Sequence, residues 1–376
     1  PLCSPCSLWL NLFMNILHVT PYYAPAYAFG GVTRAVEGMA RALVRHGHTV
    51  TVLTTDALTP TARCTDPADE LRDGVRVLRA RNLFKRGTLN LSTPIGLRGL
   101  LRDLTPDVIH CHEFRTVENL LLPPIAPMVL SPHGTLTYET GRSTVKVLWD
   151  RLFSRRLAQR FNTVIGLTAQ EAADSRQLWD KLGINEGRFP VIPNGIDVTE
   201  FEHLIGRETF RARWNLGAAR TLLFMGRLHP RKGVDVLIKA FKAANVPNTR
   251  LLIGGSDEGM LSVLQPLLDE RIVVTGYLGG ADRLAAYAAA DAFALPATGE
   301  GLSMAALEAM GAGLPVILSP GCNLPEAEAA GAGVIVAPEV EPLADAIRQV
   351  LTDPRDMGAR GRRLVAERFT WDAVAS

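Results

Sequence analysis

Charge of one sign hardly outweighs the other in this 376-residue chain: 40 Lys and Arg face 38 Asp and Glu, a formal net charge of +2. That balance excludes the globally basic surface of a nucleic-acid-binding protein. Cysteine is scarce. Cys3, Cys6, Cys64, Cys111 and Cys322 are too few and too scattered for a disulfide framework, which points to a reducing, cytoplasmic setting. Cys3 and Cys6 have Cys-x-x-Cys spacing but no second pair follows, so no metal site is read there. His110-Cys111-His112 also invites a metal reading, yet consecutive strand residues face opposite sides and the three cannot converge. Long apolar runs are missing too. Residues 7–17 are apolar but too short to span a bilayer, and no Lys or Arg precedes Arg34, so a signal peptide lacks its basic start. Met14 opens Met-Asn-Ile-Leu-His-Val like a first strand, and residues 1–13 read as a non-native leader. Internal repeats, low-complexity tracts, a nucleophile triad and a carboxylate cluster of metal-ligand type are all absent from the pattern.

What is present is alternation. Strands are expected at residues 16–19, 49–53, 75–78, 107–110, 128–131 and 163–167, then at 222–225, 250–253, 272–274, 292–295 and 316–318. Helices fall between them, notably 32–45, 234–244, 283–290 and 302–312. Strand–helix alternation argues for parallel sheets, and this length suits two domains, with residues 191–201 as the linker. The halves differ in charge. Residues 1–190 hold 22 Lys and Arg against 16 Asp and Glu, whereas residues 191–376 hold 18 against 22. The first half is thus suited to an anionic partner or surface.

The densest chemistry lies in the second half. A strand ending at Leu295 runs into a Gly-flanked acidic turn, Gly299-Glu300-Gly301-Leu302-Ser303, and then a helix capped by Ser303 that carries Met304 and Glu308. Helical side chains lean toward the N-terminus, so Glu308 is expected to point down toward the loop holding Glu300. The helix N-terminus between them offers unpaired N–H groups for phosphate. Glu308 sits among apolar neighbours and, being buried, needs a partner. Upstream, Gly226-Arg227-Leu228-His229-Pro230-Arg231-Lys232-Gly233 supplies fixed cations between a strand and a helix, with Arg231 expected on the surface. Gly30 and Gly31 end a long first loop and open a helix, where a bare backbone can approach an anion. Together these read as a nucleotide-sugar site. His18, on the first strand, is expected to be a satisfied core histidine.

In chain order, Gly30-Gly31, His133-Gly134-Thr135, Val191-Ile192-Pro193-Asn194-Gly195-Ile196-Asp197, Gly226-Arg227-Leu228, Arg231-Lys232-Gly233 and the pair Glu300 and Glu308 resemble the retaining glycosyltransferases of family 4. At the acidic turn the family often has Glu-Gly-Phe-Gly, where this chain has Glu300-Gly301-Leu302-Ser303. The resemblance implies an α/β protein of GT-B fold, with two Rossmann-like parallel-sheet domains facing a central cleft. Residues 14–190 would form the acceptor side. Residues 191–376 would form the nucleotide-sugar domain, with the final helix cut short. By the same resemblance Arg227, Lys232, Glu300 and His133 are the catalytic residues. The donor would be held by Gly30, Gly31, Gly226, Arg227, Lys232, Tyr277, Leu278, Glu300, Gly301, Leu302, Ser303, Met304 and Glu308, with Glu308 on the ribose and the 276–278 turn meeting the base through its backbone.

The implied activity moves a sugar from a nucleoside diphosphate to a hydroxyl of a glycan or lipid-linked acceptor, as in bacterial polysaccharide or lipopolysaccharide assembly. No metal and no cofactor beyond the donor is implied, nor any nucleic-acid partner. A leaving phosphate oxygen would take the acceptor proton on the same face. Two other readings share the fold. A GT-B epimerase would need acid and base residues at the sugar C2, and a non-catalytic nucleotide-sugar-binding protein would be expected to lose Glu300 or His133. On the acceptor side, residues 142–160 alternate basic residues with Val145, Leu148, Trp149, Leu152 and Phe153 at helical spacing. Two readings stand for this stretch. Either its apolar side packs on the domain, or its basic side rests on anionic lipid, making the protein peripheral at the inner face of the cytoplasmic membrane.

Overall fold

A computed structural model describes residues 13–59, 61–83, 92–136 and 143–375. Residues 1–12 of the expected leader, with Cys3 and Cys6, lie outside the described residues, as does Arg142 at the start of the basic stretch. The first sheet contains β1 (Asn15–Val19), β2 (Thr49–Thr55), β3 (Asp69–Arg72), β4 (Val75–Asn82), β5 (Pro94–Ile95), β6 (Val108–His112), β7 (Met128–Ser131) and β8 (Phe161–Val164). Its order is β3-β4-β2-β1-β6-β7-β8, with β5 on β4. All neighbours are parallel except β3 and β5, which run antiparallel to β4. The second sheet contains β9 (Arg220–Met225), β10 (Thr249–Gly254), β11 (Ile272–Gly276), β12 (Ala292–Leu295), β13 (Val316–Leu318) and β14 (Gly333–Ile335), in the order β11-β10-β9-β12-β13-β14 and wholly parallel.

Central strands are buried on both faces because helices cover both. Ala292, Phe293, Ala294 and Leu295 of β12 are all fully enclosed, as are Leu222, Leu223 and Phe224 of β9. Strand order reverses about β1 in one sheet and β9 in the other. Such reversal points open a crevice at the carboxyl ends of the strands, and both crevices face the cleft between the domains.

The Gly31–Arg45 helix bridges that cleft. Ala35 and Ala42 pack against Trp371, and Arg45 donates to Asp372 at 2.8 Å, so the Trp371–Ala375 helix docks on the first domain. Gly38 permits this contact, since a Cβ there would lie 2.5 Å from Trp371 Cε2.

The basic stretch departs from the expected uniform helix with an inward apolar side. It runs as an α-helix over Ser143–Trp149, a π-helix over Asp150–Ser154 and an α-helix over Arg155–Ala158. The anchor is polar. Arg115 grips both carboxyl oxygens of Asp150 at 2.8 Å, and Ser154 donates to Asp150 at 2.5 Å. With that side turned in, Val145, Val147, Leu148, Leu152 and Phe153 are exposed.

Candidate active site

Three adjacent strands of the first sheet bring histidines to their carboxyl ends: His18 on β1, His110 and His112 on β6, and His133 just after β7. His18 Nδ1 lies 2.9 Å from His112 Nε2, and His112 Nδ1 lies 2.9 Å from His133 Nε2. A continuous line of imidazoles therefore runs from the core to the cleft. Burial holds His110 down at about 4 and His133 at about 3, and keeps His18 and His112 well below the usual range, so the line is uncharged at neutral pH. Strand alternation sends Cys111 into the opposite, apolar core. The strand next door, however, brings His18 to the same side as His110 and His112. His18, His110 and His112 place one nitrogen each within 4.8 Å of one another, a group of metal-ligand spacing that reading within a single strand could not reveal. His18 is buried as expected, but its Nε2 has no hydrogen-bond partner.

His133 (φ 56°) and Glu113 (φ 64°), one residue beyond β6, both hold left-handed backbone conformations that side-chain-bearing residues seldom adopt. Strained backbone of this kind gathers at functional sites. The 133–134 turn also meets the acidic turn of the other domain. A Cβ on Gly134 would lie 2.7 Å from Gly301 N, and one on Gly301 would lie 2.9 Å from Gly134 N, so bare backbone is required on both sides of the cleft. Glu171 secures this turn by accepting from Gly134 N and, at 2.7 Å, from Leu167 N.

The residues expected at the phosphate converge from both domains. Gly30 faces the Arg227 side chain, with Nε 3.5 Å from the position of a Cβ, and Gly31 stands at the same distance from Met304 Cγ. Arg227 pairs with Glu258 at 2.7 Å, and Lys232 pairs with Glu300 at 2.8 Å. Gly226 (φ 159°) turns the chain out of β9 beneath them. Arg231 is a correction. It was expected on the surface, but Nη1 donates to Gly299 at 3.2 Å and Nε is buried without a partner, so it braces the acidic turn. The backbone of Glu300 is fixed at both ends: its N–H donates to Gly321 at 2.8 Å, and its carbonyl accepts from Asn323 Nδ2 at 2.6 Å.

The two glutamates do not converge as the lean of the helix suggested. Glu300 turns to Lys232, whereas Glu308 pairs with Arg283 at 2.6 Å and accepts from Tyr287 Oη at 2.9 Å. The partner that a buried glutamate requires is thus Arg283, which also binds Glu200. Glu308, Arg283 and Met304 wall a cavity of about 520 Å³, faced across the cleft by Arg34, Glu37 and Arg41. Ser303 caps the Met304–Gly311 helix by accepting from Ala306 N at 3.3 Å. Leu302 and Ser303 are buried, Leu278 packs in the core, and Tyr277 is exposed; neither Tyr277 nor Leu278 lines the cavity beside Glu308.

A larger cavity, about 1010 Å³, lies in the first domain. Tyr22, Phe29 and Trp149 give it an aromatic wall, with the Tyr22 and Phe29 rings stacked at 3.6 Å, while Glu113, Arg115, Lys146 and several hydroxyls line the rest. Burial, then Arg115 and Arg231, bring Lys146 down to about 8. The sequence does not single out Glu113, and it marks Lys146 only as one of the basic residues of the 142–160 stretch. A positive φ leaves no mark on a glutamate, and Lys146 looked like any solvated lysine of a basic helix.

Two family models divide the chain between them: "Glycosyltransferase Family 4" matches residues 29–200 and "Glycosyl transferases group 1" matches residues 206–364. The glycogen synthase of Mycobacterium tuberculosis is 31% identical, the match covering 96% of this chain and 93% of that protein. The chain belongs to glycosyltransferase family 4. A GDP-mannose-dependent alpha-mannosyltransferase of Mycolicibacterium smegmatis is 29% identical, over 92% of this chain and 91% of the relative. Among solved structures, Anabaena HepE in complex with UDP-glucose superimposes with a TM-score of 0.73 at 21% identity, covering 96% and 97% of the two chains. The fold is accordingly GT-B, and the protein is a glycosyltransferase. No helix among the described residues is long and apolar enough to cross a membrane.

Proposed function

We propose that this enzyme transfers a sugar, with retention, from a nucleoside diphosphate to a hydroxyl of a glycan or lipid-linked acceptor. The observation that carries the reading is the meeting of Gly30, His133, Arg227, Lys232 and Glu300 from two domains at one cleft. Arg227 and Lys232 meet the diphosphate, whose charge grows as the glycosidic bond breaks, and fixed cations there act most strongly on the transition state. Lys232 is already oriented by Glu300, so a sugar hydroxyl taken up by Glu300 would lie beside the phosphate grip. The unpaired N–H groups opening the Met304–Gly311 helix add a partial positive charge. Glu308 takes the ribose at the wall of the 520 Å³ cavity. Its bonds to Arg283 and Tyr287 hold its carboxylate in place for that. The neutral His133 touches the donor sugar, and the leaving phosphate oxygen takes the acceptor proton. The 1010 Å³ cavity, at the carboxyl ends of the first sheet, receives the acceptor. Incubation of the purified protein with a panel of nucleotide sugars that includes UDP-glucose and GDP-mannose should show slow donor hydrolysis. Absence of hydrolysis and of nucleotide-sugar binding across the panel would overturn the reading.

The acceptor-side surface supports peripheral contact with an anionic membrane. Val147, Leu148 and Leu152 are more than half exposed on the 143–158 stretch, beside Arg151, Arg155 and Arg156. Apolar side chains entering the headgroup layer with basic ones at its surface is the physics of an interfacial helix. Sedimentation with anionic vesicles at low salt should recover wild type far better than a variant carrying Leu148→Ser, Leu152→Ser, Arg155→Gln and Arg156→Gln. Equal recovery would remove the membrane.

A further inference from the structure

Of the titratable groups facing the larger cavity, Glu113 stands apart. Arg115 is fully engaged, by Asp150 at 2.8 Å and by the carbonyls of Thr135 and Leu136 at 2.9 and 3.1 Å. The carboxyl of Glu113 has no hydrogen-bond partner among the described residues, although its backbone is tied down: the N–H donates to Ser131 at 2.9 Å and the carbonyl accepts from Asn119 Nδ2 at 2.7 Å. Local bonding thus fixes the Cα in a left-handed conformation and leaves the side chain aimed at open space. Behind it sits Glu118, 1% exposed, neither of whose carboxyl oxygens has a partner of good geometry, the Ser92 hydroxyl approaching only loosely. At this end of the cavity, therefore, Glu113 keeps its acceptor capacity free for a ligand, while Arg115 is already committed.

We propose that Glu113 is the residue that receives the acceptor, its carboxylate accepting hydrogen bonds from vicinal hydroxyls of a polyhydroxylated ring whose apolar face lies on the Tyr22–Phe29–Trp149 wall. The inference rests on the glycosyl-transfer reading given above and names the group that recognises its acceptor. The position suits the task. Glu113 follows His112 at the end of β6, one step along the sheet from His133, and feels the Arg227 charge of the phosphate grip. A hydroxyl held by Glu113 is therefore presented toward the donor side of the cleft. The surrounding charges are Glu118 behind it, Arg227 across the cleft, Arg115 and Lys146 on the cavity wall, and the neutral His112 and His133 beside it. Burial, then the neighbouring Glu118, raise Glu113 to about 7, with Arg227 opposing.

The test uses UDP-glucose or GDP-mannose as donor, whichever wild type hydrolyses, with methyl α-glucoside and methyl α-mannoside as acceptors. Glu113→Gln keeps the volume, and Glu113→Asn tolerates the left-handed backbone. Both variants should keep wild-type calorimetric affinity for the free nucleoside diphosphate. Their acceptor kcat/KM should fall about 10- to 100-fold, chiefly through KM, as for a lost hydrogen bond to a charged group. Unchanged acceptor KM in both variants, with nucleoside diphosphate affinity also unchanged, would overturn the proposal. A wild type that neither binds nor hydrolyses a nucleotide sugar would instead sink the glycosyl-transfer reading itself.

Discussion

At the scale of single residues, the site contrasts cations that are paired yet reachable with a glutamate that is paired and enclosed. Arg227 and Lys232 line the cleft, so Arg227→Ala or Lys232→Ala should cut turnover on saturating donor about 10²- to 10³-fold, as for loss of one preorganised charge-stabilising group. Near-normal kcat in both would remove the diphosphate from this grip. Glu308 differs. Removing it leaves Arg283 with Glu200 alone in a buried setting, so Glu308→Ala should lower the melting temperature as well as weaken calorimetric nucleotide binding by about 1.5–3 kcal/mol. A lower melting temperature with unchanged affinity would make Glu308 a purely structural ion pair. Glu113 carries a pH test of its own. Its native form holds a proton more tightly than the unfolded chain does, so native stability falls as pH rises from the ordinary carboxyl range through about 7 and stays reduced above it. Glu113→Gln should therefore raise the melting temperature at about pH 8 and leave it unchanged at about pH 4. Arg227, Lys232, Glu300 and Glu308 could be picked out by eye because spacing exposes them. Arg283, Tyr287 and Glu113 could not, since each matters only through neighbours brought in by the tertiary fold.

At the scale of elements, the strands of both sheets were readable to within a few residues, because doubly covered parallel strands are near-continuous apolar runs between turn residues. What escaped is marginal in the same physical sense: β3 and β5 pair antiparallel with β4 and carry no such run, and β14, unlike the fully buried β13, is only half-buried over two of its three residues. The 143–158 stretch misled for another reason. Periodicity reports a helix and its two sides but not which side turns inward, and Arg115, from beyond β6, decides that by seizing Asp150. Gly38 offers an element-scale test in which two effects oppose. Ala is the better helix former by up to about 1 kcal/mol, yet a methyl group here would strike the Trp371 indole, and overpacking costs about 1–3 kcal/mol. Gly38→Ala should accordingly lower the melting temperature. A rise would show that the Trp371 contact is slack.

At the scale of the whole molecule, the proposed function has Arg227, Lys232 and a helix terminus meet the charge of the leaving diphosphate, and on that proposal activity should survive EDTA. Complete loss, restored by manganese or magnesium, would contradict this account and turn attention to carboxylates at the cleft. Loss restored by zinc alone would point to His18, His110 and His112. The two-domain plan was legible from alternation and length, but the return of the Trp371–Ala375 helix to the first domain was not, since nothing local to Trp371 names its distant partner. That return bears on how the protein comes into being. The face of the Gly31–Arg45 helix formed by Ala35, Gly38 and Ala42 is completed by a segment more than 300 positions away in sequence, and Arg45–Asp372 spans a separation of 327. Joining such remote segments carries a loop-closure entropy that is recovered only after the second domain has assembled and positions Trp371. The first domain, emerging earlier from the ribosome, therefore carries an uncovered seam along its leading helix until Trp371 arrives.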